Sequence, residues 1–208
     1  DKILKLLADE TACEDAAALA RALEPSSSLS EVNRRLAETG EAHSLMARFG
    51  APSFGGLQNV TSSLRRAEAG GFLTMGELLR VAQVLRTIRG ILEWRNRSEG
   101  VKGVLDDRFH MLMANKYLEE RIFSSILSEE EMADNASPQL ASIRRKIRGA
   151  SLRAREQMDK MIRSPYYQKY LQDPIVTMRS GRFVVPVKAE CRGEVPGLVH
   201  DTSSSGAT

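Results

Sequence analysis

The sequence predicts a mainly α protein: a multi-helix core with a long lever helix, followed by a small antiparallel β hairpin or meander at the C-terminal end. Three observations carry that reading. Apolar residues recur every three or four positions through most of the first 163 residues, as a helix with one buried face requires. Ser137-Pro138 opens a stretch with no Pro or Gly-Gly break until Ser164-Pro165. Beyond Pro174, two β-branched runs flank Ser180-Gly181.

In chain order, Ile3, Leu6, Leu7, Leu19 and Leu23 mark a first helix that Pro25 ends. Ser28-x-x-Glu31 is a capping-box pattern, and Val32, Leu36, Leu45, Met46 and Phe49 continue the helix to Gly50-Ala51-Pro52. Phe54-Gly55-Gly56 reads as a loop with Phe54 anchored on the core. A short helix near 59–68 ends at Gly70-Gly71, and Thr74-x-x-Glu77 caps the next. There Leu78, Val81, Leu85, Ile88 and Leu92 form one stripe, with Trp94 packing at its end. Gly100 and Gly103 interrupt the chain, and Leu105 to Leu127 form a further helix.

Ser137 as N-cap with Pro138 at the first position then starts a helix over 138–163, about 39 Å long at 1.5 Å per residue. Leu140, Ile143, Ile147, Ala150, Ala154, Met158 and Met161 make a near-heptad seam, expected to be buried. Ser164-Pro165 starts a short helix to Leu171. Residues 175–179 and 182–188 are strands around a two-residue turn, with Pro186 demoting the second to an edge, and 198–200 start a third strand.

Composition bounds the function. With 42% hydrophobic and 27% charged residues in 208, the chain can build a core, and wholesale disorder is excluded. No apolar run of membrane-spanning length exists and the first residues are not a signal peptide, so no membrane partner is expected. Cys13 and Cys191 read as two free thiols. The net charge of +3 is uneven: residues 140–170 hold nine Lys and Arg against two Asp and Glu, while residues 1–60 hold six against nine. A local basic stripe suits phosphate or an acidic partner, or is simply a solvated face.

There is no phosphate loop, no Gly-x-Gly-x-x-Gly, no His-Glu-x-x-His and no Cys-x-x-Cys, so the expected catalytic, cofactor-binding and metal-ligating sets are empty. Glu129, Glu130, Glu131 and Asp134 read as solvated acid. His200-Asp201 beside Ser203 to Gly206 has triad composition without a nucleophile elbow, and reads as a polar turn. The candidate nucleic-acid contacts are Arg144, Arg145, Lys146 and Arg148 on the long helix, with Arg179, Arg182, Lys188 and Arg192 around the hairpin.

From Ser164 the chain reads SPYYQKYLQDPIVTMRSGRFVVPVKAECRGEVPGLVHDTSSSGAT. This block, with Ala22-Leu23-Glu24-Pro25-Ser26, Gly50-Ala51-Pro52, Phe54-Gly55-Gly56-Leu57, Ala136-Ser137-Pro138 and Ser142-Ile143-Arg144, resembles the second bacterial MutS-like family, MutS type two. The resemblance implies a core-and-lever piece of a longer cytoplasmic homodimer. Residues 1–137 would be the helical core domain, 138–172 the lever helices and 175–208 a β-rich lever/clamp junction. The full protein would be a DNA-binding ATPase and endonuclease acting on branched DNA in suppression of recombination, with a link to collided ribosomes and rRNA. ATP and Mg are implied for the full-length protein, no cofactor for this piece. Two alternatives stand beside it: a helical interaction scaffold with no nucleic-acid role, and a small enzyme using the His200–Ser tail.

Overall fold

The computed structural model describes residues 2–97 and 102–203. They form two compact units, Asp1–Ala136 and Ser137–Thr208. Gly100 and the tail residues Ser204, Ser205 and Gly206 lie outside the described residues.

The first unit is all helix: α1 (Lys2–Asp9), α2 (Glu14–Arg21), α3 (Leu29–Phe49), α4 (Thr61–Glu68), α5 (Met75–Asn96), α6 (Asp106–His110) and α7 (Lys116–Ser125). Two expected helices are each broken in two. The first divides after Asp9, where the Thr11 hydroxyl turns back to the Ala8 carbonyl at 2.7 Å. The stretch 105–127 divides at 111–115, where the Asn115 side chain accepts the Leu118 N–H at 3.0 Å and starts α7. Local side-chain hydrogen bonds compete with helix continuation at both breaks. The expected stripe on α1 and α2 is also corrected: Ile3, Leu6, Leu7 and Leu19 face water, and the contact is made by Ala8, Ala17 and Ala20.

The capping box at α5 is complete. Thr74 accepts from the Glu77 N–H and Glu77 accepts from the Thr74 N–H. The Thr74 backbone donor, with Arg66 and Ser63, holds the Glu77 carboxyl down at about 2. Only half of the Ser28 box forms, because Glu31 turns to Ser26 and Arg35 instead.

The core packs Ala82, Ile122 and Ile126 with Met75, Leu78, Leu79 and Phe123, joining α5 to α7. The far side of α5 pins the loop after α3. The indole N–H of Trp94 donates to Gly50 O at 2.8 Å, and the Thr87 hydroxyl donates to Gly55 O at 3.0 Å. Helix α5 therefore buries two faces, and of the expected stripe Val81 is buried while Leu78, Leu85, Ile88 and Leu92 are half-buried. Phe54 is exposed rather than anchored. Gly56, at φ 90°, lies so close to Gln83 that a Cβ there would stand 2.5 Å from its Nε2.

The second unit opens with α8 (Pro138–Arg163), capped by Ser137, followed by α9 (Pro165–Gln168). Strands β1 (Thr177–Arg179) and β2 (Arg182–Val184) pair antiparallel, Thr177 with Val184 and Arg179 with Arg182. Ser180 and Gly181 both have positive φ, 47° and 75°, the geometry of a type I′ hairpin turn. After β2, Pro186 O accepts from Gln172 N at 3.0 Å and Lys188 N donates to Tyr170 O at 3.0 Å, drawing the chain back beside α9. Leu171 is buried at that junction. The expected third strand is absent from the described residues: Leu198 and Val199 are exposed coil.

The seam of α8 is the main correction. No residue of α8 is buried, and Ile143 and Ile147 are 54% and 62% exposed. Leu140, Ala141, Arg144 and Gly149 are half-buried, as are Met158, Asp159, Met161 and Ile162 in its last turns. Ile147→Asp will therefore change the stability of this chain by no more than about 0.5 kcal/mol, as for any exposed site. A thermal melt of the two proteins checks this, and a fall of many degrees would show that the seam is covered in solution.

Candidate nucleic-acid interface

All eight predicted contact residues fall in the second unit, which carries thirteen Lys and Arg against six Asp and Glu, a balance of +7; the first carries seventeen against twenty-one. The structure divides the eight into two groups. Arg144, Arg145, Lys146 and Arg148 lie in the first half of α8, with Arg144 and Arg148 one turn apart and Arg144 half-buried. Arg179 and Arg182 face each other across the last rung of the hairpin. Lys188 and Arg192 flank the 3-10 turn Ala189–Cys191.

The first group sits about 20 Å along the helix from Met161, given the rise per residue. Arg153, Arg155 and Lys160 occupy the interval and Arg163 follows Met161, all exposed. They add to the same run of positive charge along the helix.

The two units treat their cations differently. In the first, Arg34, Arg35, Arg66, Arg86, Arg89, Arg95 and Arg108 each pair with a carboxylate. In the second, Arg145, Lys146, Arg153, Arg155, Lys160, Arg163, Arg179 and Arg182 form no ion pair among the described residues. Arg144 and Arg148 each have an interaction within the chain. Lys188 donates to Lys169 O at 3.1 Å and Arg192 to the Thr202 hydroxyl at 3.3 Å; both acceptors are neutral, so neither charge is cancelled. Like charges placed directly opposite, as at Arg179 and Arg182, destabilise a hairpin unless an anion lies between them.

Beside β2 is an open concavity of about 440 Å³. Met158, Met161 and Phe183 line it together with the cations Arg179, Lys188 and Arg192 and with His200. The Asp201 carboxylate accepts the Thr202 N–H at 2.9 Å, and residues 198–203 are irregular coil. No group of three His, Cys, Asp or Glu converges among the described residues as a metal site would need. Both cysteines are free thiols. No described helix is long and apolar enough to cross a membrane.

No profile of a known protein family matches the chain. Individual proteins do. The proteins named Endonuclease MutS2 of Acetivibrio thermocellus and of Ruminiclostridium cellulolyticum are each 44% identical to it, over 212 and 210 aligned positions. That of Alkaliphilus oremlandii is 38% identical over 210. Each alignment covers all of this chain but only 26%, 26% and 27% of the relative. The chain spans about a quarter of the length of the relatives it matches. Identity of 38–44% over the whole chain shows it to be a MutS2-like protein.

Proposed function

We propose that this chain is the non-catalytic core and lever portion of a homodimeric, MutS-like DNA-binding ATPase and endonuclease, and that its second unit grips the sugar–phosphate backbone of branched DNA. The observation that carries the reading is the run of exposed cations that form no ion pair among the described residues: Arg145, Lys146, Arg153, Arg155, Lys160 and Arg163 on α8, and Arg179 and Arg182 on the hairpin. Phosphate contacts of this kind fix position and carry no sequence information. A role in suppressing recombination, or on the rRNA of collided ribosomes, is compatible with the same backbone chemistry.

The residues present do not fit ATP or Mg²⁺. The sequence has no phosphate loop, and no three carboxylate, His or Cys ligands converge among the described residues. ATP turnover and strand cleavage are therefore assigned to parts of such a protein outside this chain.

The test is a titration of labelled four-way junction, duplex and single strand at several salt concentrations. Binding should be weak and blind to sequence, with log K falling linearly on log salt at a slope of about −0.9 per duplex phosphate engaged. Absence of binding at low salt would overturn the reading. It would favour instead a protein-interaction scaffold, which the exposed Ile143 and Ile147 also suit: an acidic partner helix could cover that seam between its basic flanks.

A further inference from the structure

The elbow between α8 and the hairpin carries a feature that cation counting overlooks. Ser164-Pro165 sets the start of α9, and the Ser164 carbonyl accepts from Tyr167 N at 3.0 Å and Gln168 N at 3.1 Å. The Gln168 side chain reaches back to Ile162 O at 3.2 Å. On this fixed turn stand three tyrosines. Tyr166 meets Tyr167 at 5.0 Å between centroids and Tyr170 at 5.7 Å, both edge-on at 87° and 78°, so neither ring is stacked parallel on it. Tyr166 remains 57% exposed. The Lys169 ammonium lies over the rings of Tyr166 and Tyr170, 5.0 and 4.6 Å from their centroids, and Lys188 is tied to the same turn through Lys169 O.

Other exposed aromatics lack this setting. Phe54, Phe72 and Tyr117 belong to the acidic first unit, and Tyr117 is followed on its helix by Glu119 and Glu120. From 160 to 172 the chain has Lys160, Arg163 and Lys169 and no Asp or Glu. An exposed aromatic face fixed among cations is the arrangement that binds single strands: the cations track the phosphates and the ring stacks a base. A tyrosine held by its neighbours also loses little conformational freedom when a ligand arrives.

We propose that Tyr166 is a stacking platform for an unpaired nucleobase, with Lys169 and Lys188 meeting the phosphates on either side of it. This rests on the nucleic-acid reading above and adds to it a preference for unpaired positions, such as those at a branch point. Each lysine ammonium has three N–H donors, so Lys188 keeps two for phosphate beside its bond to Lys169 O.

The experiment compares, on the whole chain, a short oligothymidylate, an abasic strand of the same length and charge, and a duplex. Wild type should bind the oligothymidylate about tenfold more tightly than the abasic strand, since base–aromatic stacking is worth about that or more per base. Tyr166→Ala should bind both strands equally, at the abasic level, with an unchanged salt slope because no charge is altered. Tyr166→Phe should keep the preference. The abasic strand reports in the same experiment whether the variant is folded and its cations in place. A preference that survives in Tyr166→Ala, or one lost in Tyr166→Phe, overturns the stacking platform. So does a wild type that binds both strands and the duplex with no preference, which leaves the phosphate reading standing. Failure of wild type to bind any of the three removes both.

Discussion

Glu119→Ala will lower the stability of the chain by about 2–3 kcal/mol, a fall in melting temperature on the order of 10 °C. The Glu119 side chain is 3% exposed, beside the contact of α5 with α7. Its Oε2 accepts from Arg89 Nε at 2.8 Å, and its Oε1 from Arg89 Nη2 at 2.9 Å and Arg86 Nε at 3.2 Å. The Arg89 pair is a fork-to-fork contact, the strongest form a guanidinium and a carboxylate can make. Arg86 also lies 3.8 Å over the Phe123 ring, so one carboxylate orients two cations and an aromatic contact. Cutting a fully buried pair costs about 3–5 kcal/mol; Arg86 and Arg89 stay 50% and 30% exposed and can rehydrate, which sets the lower figure.

The same site sets a pH dependence. Hydrogen bonds from Arg89 hold the Glu119 carboxyl below its ordinary value, against the opposing effect of burial. A carboxyl with a depressed folded pKa contributes stability that is fully present above its unfolded pKa, near 4.3, and is lost as pH falls through the folded value. The gap between wild type and Glu119→Ala should therefore be constant near neutrality and narrow below about pH 4. Glu31, Glu38, Glu77 and Asp106 are shifted the same way, and comparing the two proteins cancels them. A melting difference under a couple of degrees at neutral pH, or one that does not narrow in acid, would show that the carboxylate is not what joins the two helices.

Nothing in Lys116-Tyr117-Leu118-Glu119-Glu120 distinguishes Glu119 from its exposed neighbour, because its partners lie 30 and 33 residues upstream. What could be read from sequence is what local chemistry decides. Both ends of α8 follow from two Ser-Pro pairs, and the hairpin from Ser180-Gly181. The breaks at 10–13 and 111–115 have no Pro or Gly, and depend on side chains that could equally have sat quietly in a helix. The seam of α8 fails for another reason. Periodicity says which residues share a face, and nothing about whether a partner is present to cover it. The third strand fails likewise: Leu198-Val199 has the composition of a strand but no neighbour to pair with among the described residues. For the interface, the basic residues are evident as a list, but the tyrosine elbow is not, since in sequence it is only another short helix.

Replacing Arg144, Arg145, Lys146 and Arg148 with Glu will abolish nucleic-acid binding by the chain. The exchange moves the charge by eight and takes the second unit from +7 to −1. With no groove-reading element evident, the affinity is electrostatic, and losing several phosphate contacts while adding repulsion should weaken binding by roughly a hundredfold or more at moderate salt. The slope of log K against log salt should flatten in step with the contacts removed. The fold should survive, because no α8 side chain is buried and Arg144 is the only half-buried member of the four. Circular dichroism checks this directly. Since Arg144 and Arg148 each have an interaction within the chain, a second variant should carry Glu only at Arg145 and Lys146, which make no ion pair among the described residues. It moves the charge by four and should give an intermediate affinity and an intermediate slope, a graded response that accidental unfolding would not mimic. If wild type and both variants bind alike at every salt concentration, α8 is a solvated arm. The charge that matters would then be at the hairpin, where Arg179 and Arg182 face each other across the last rung.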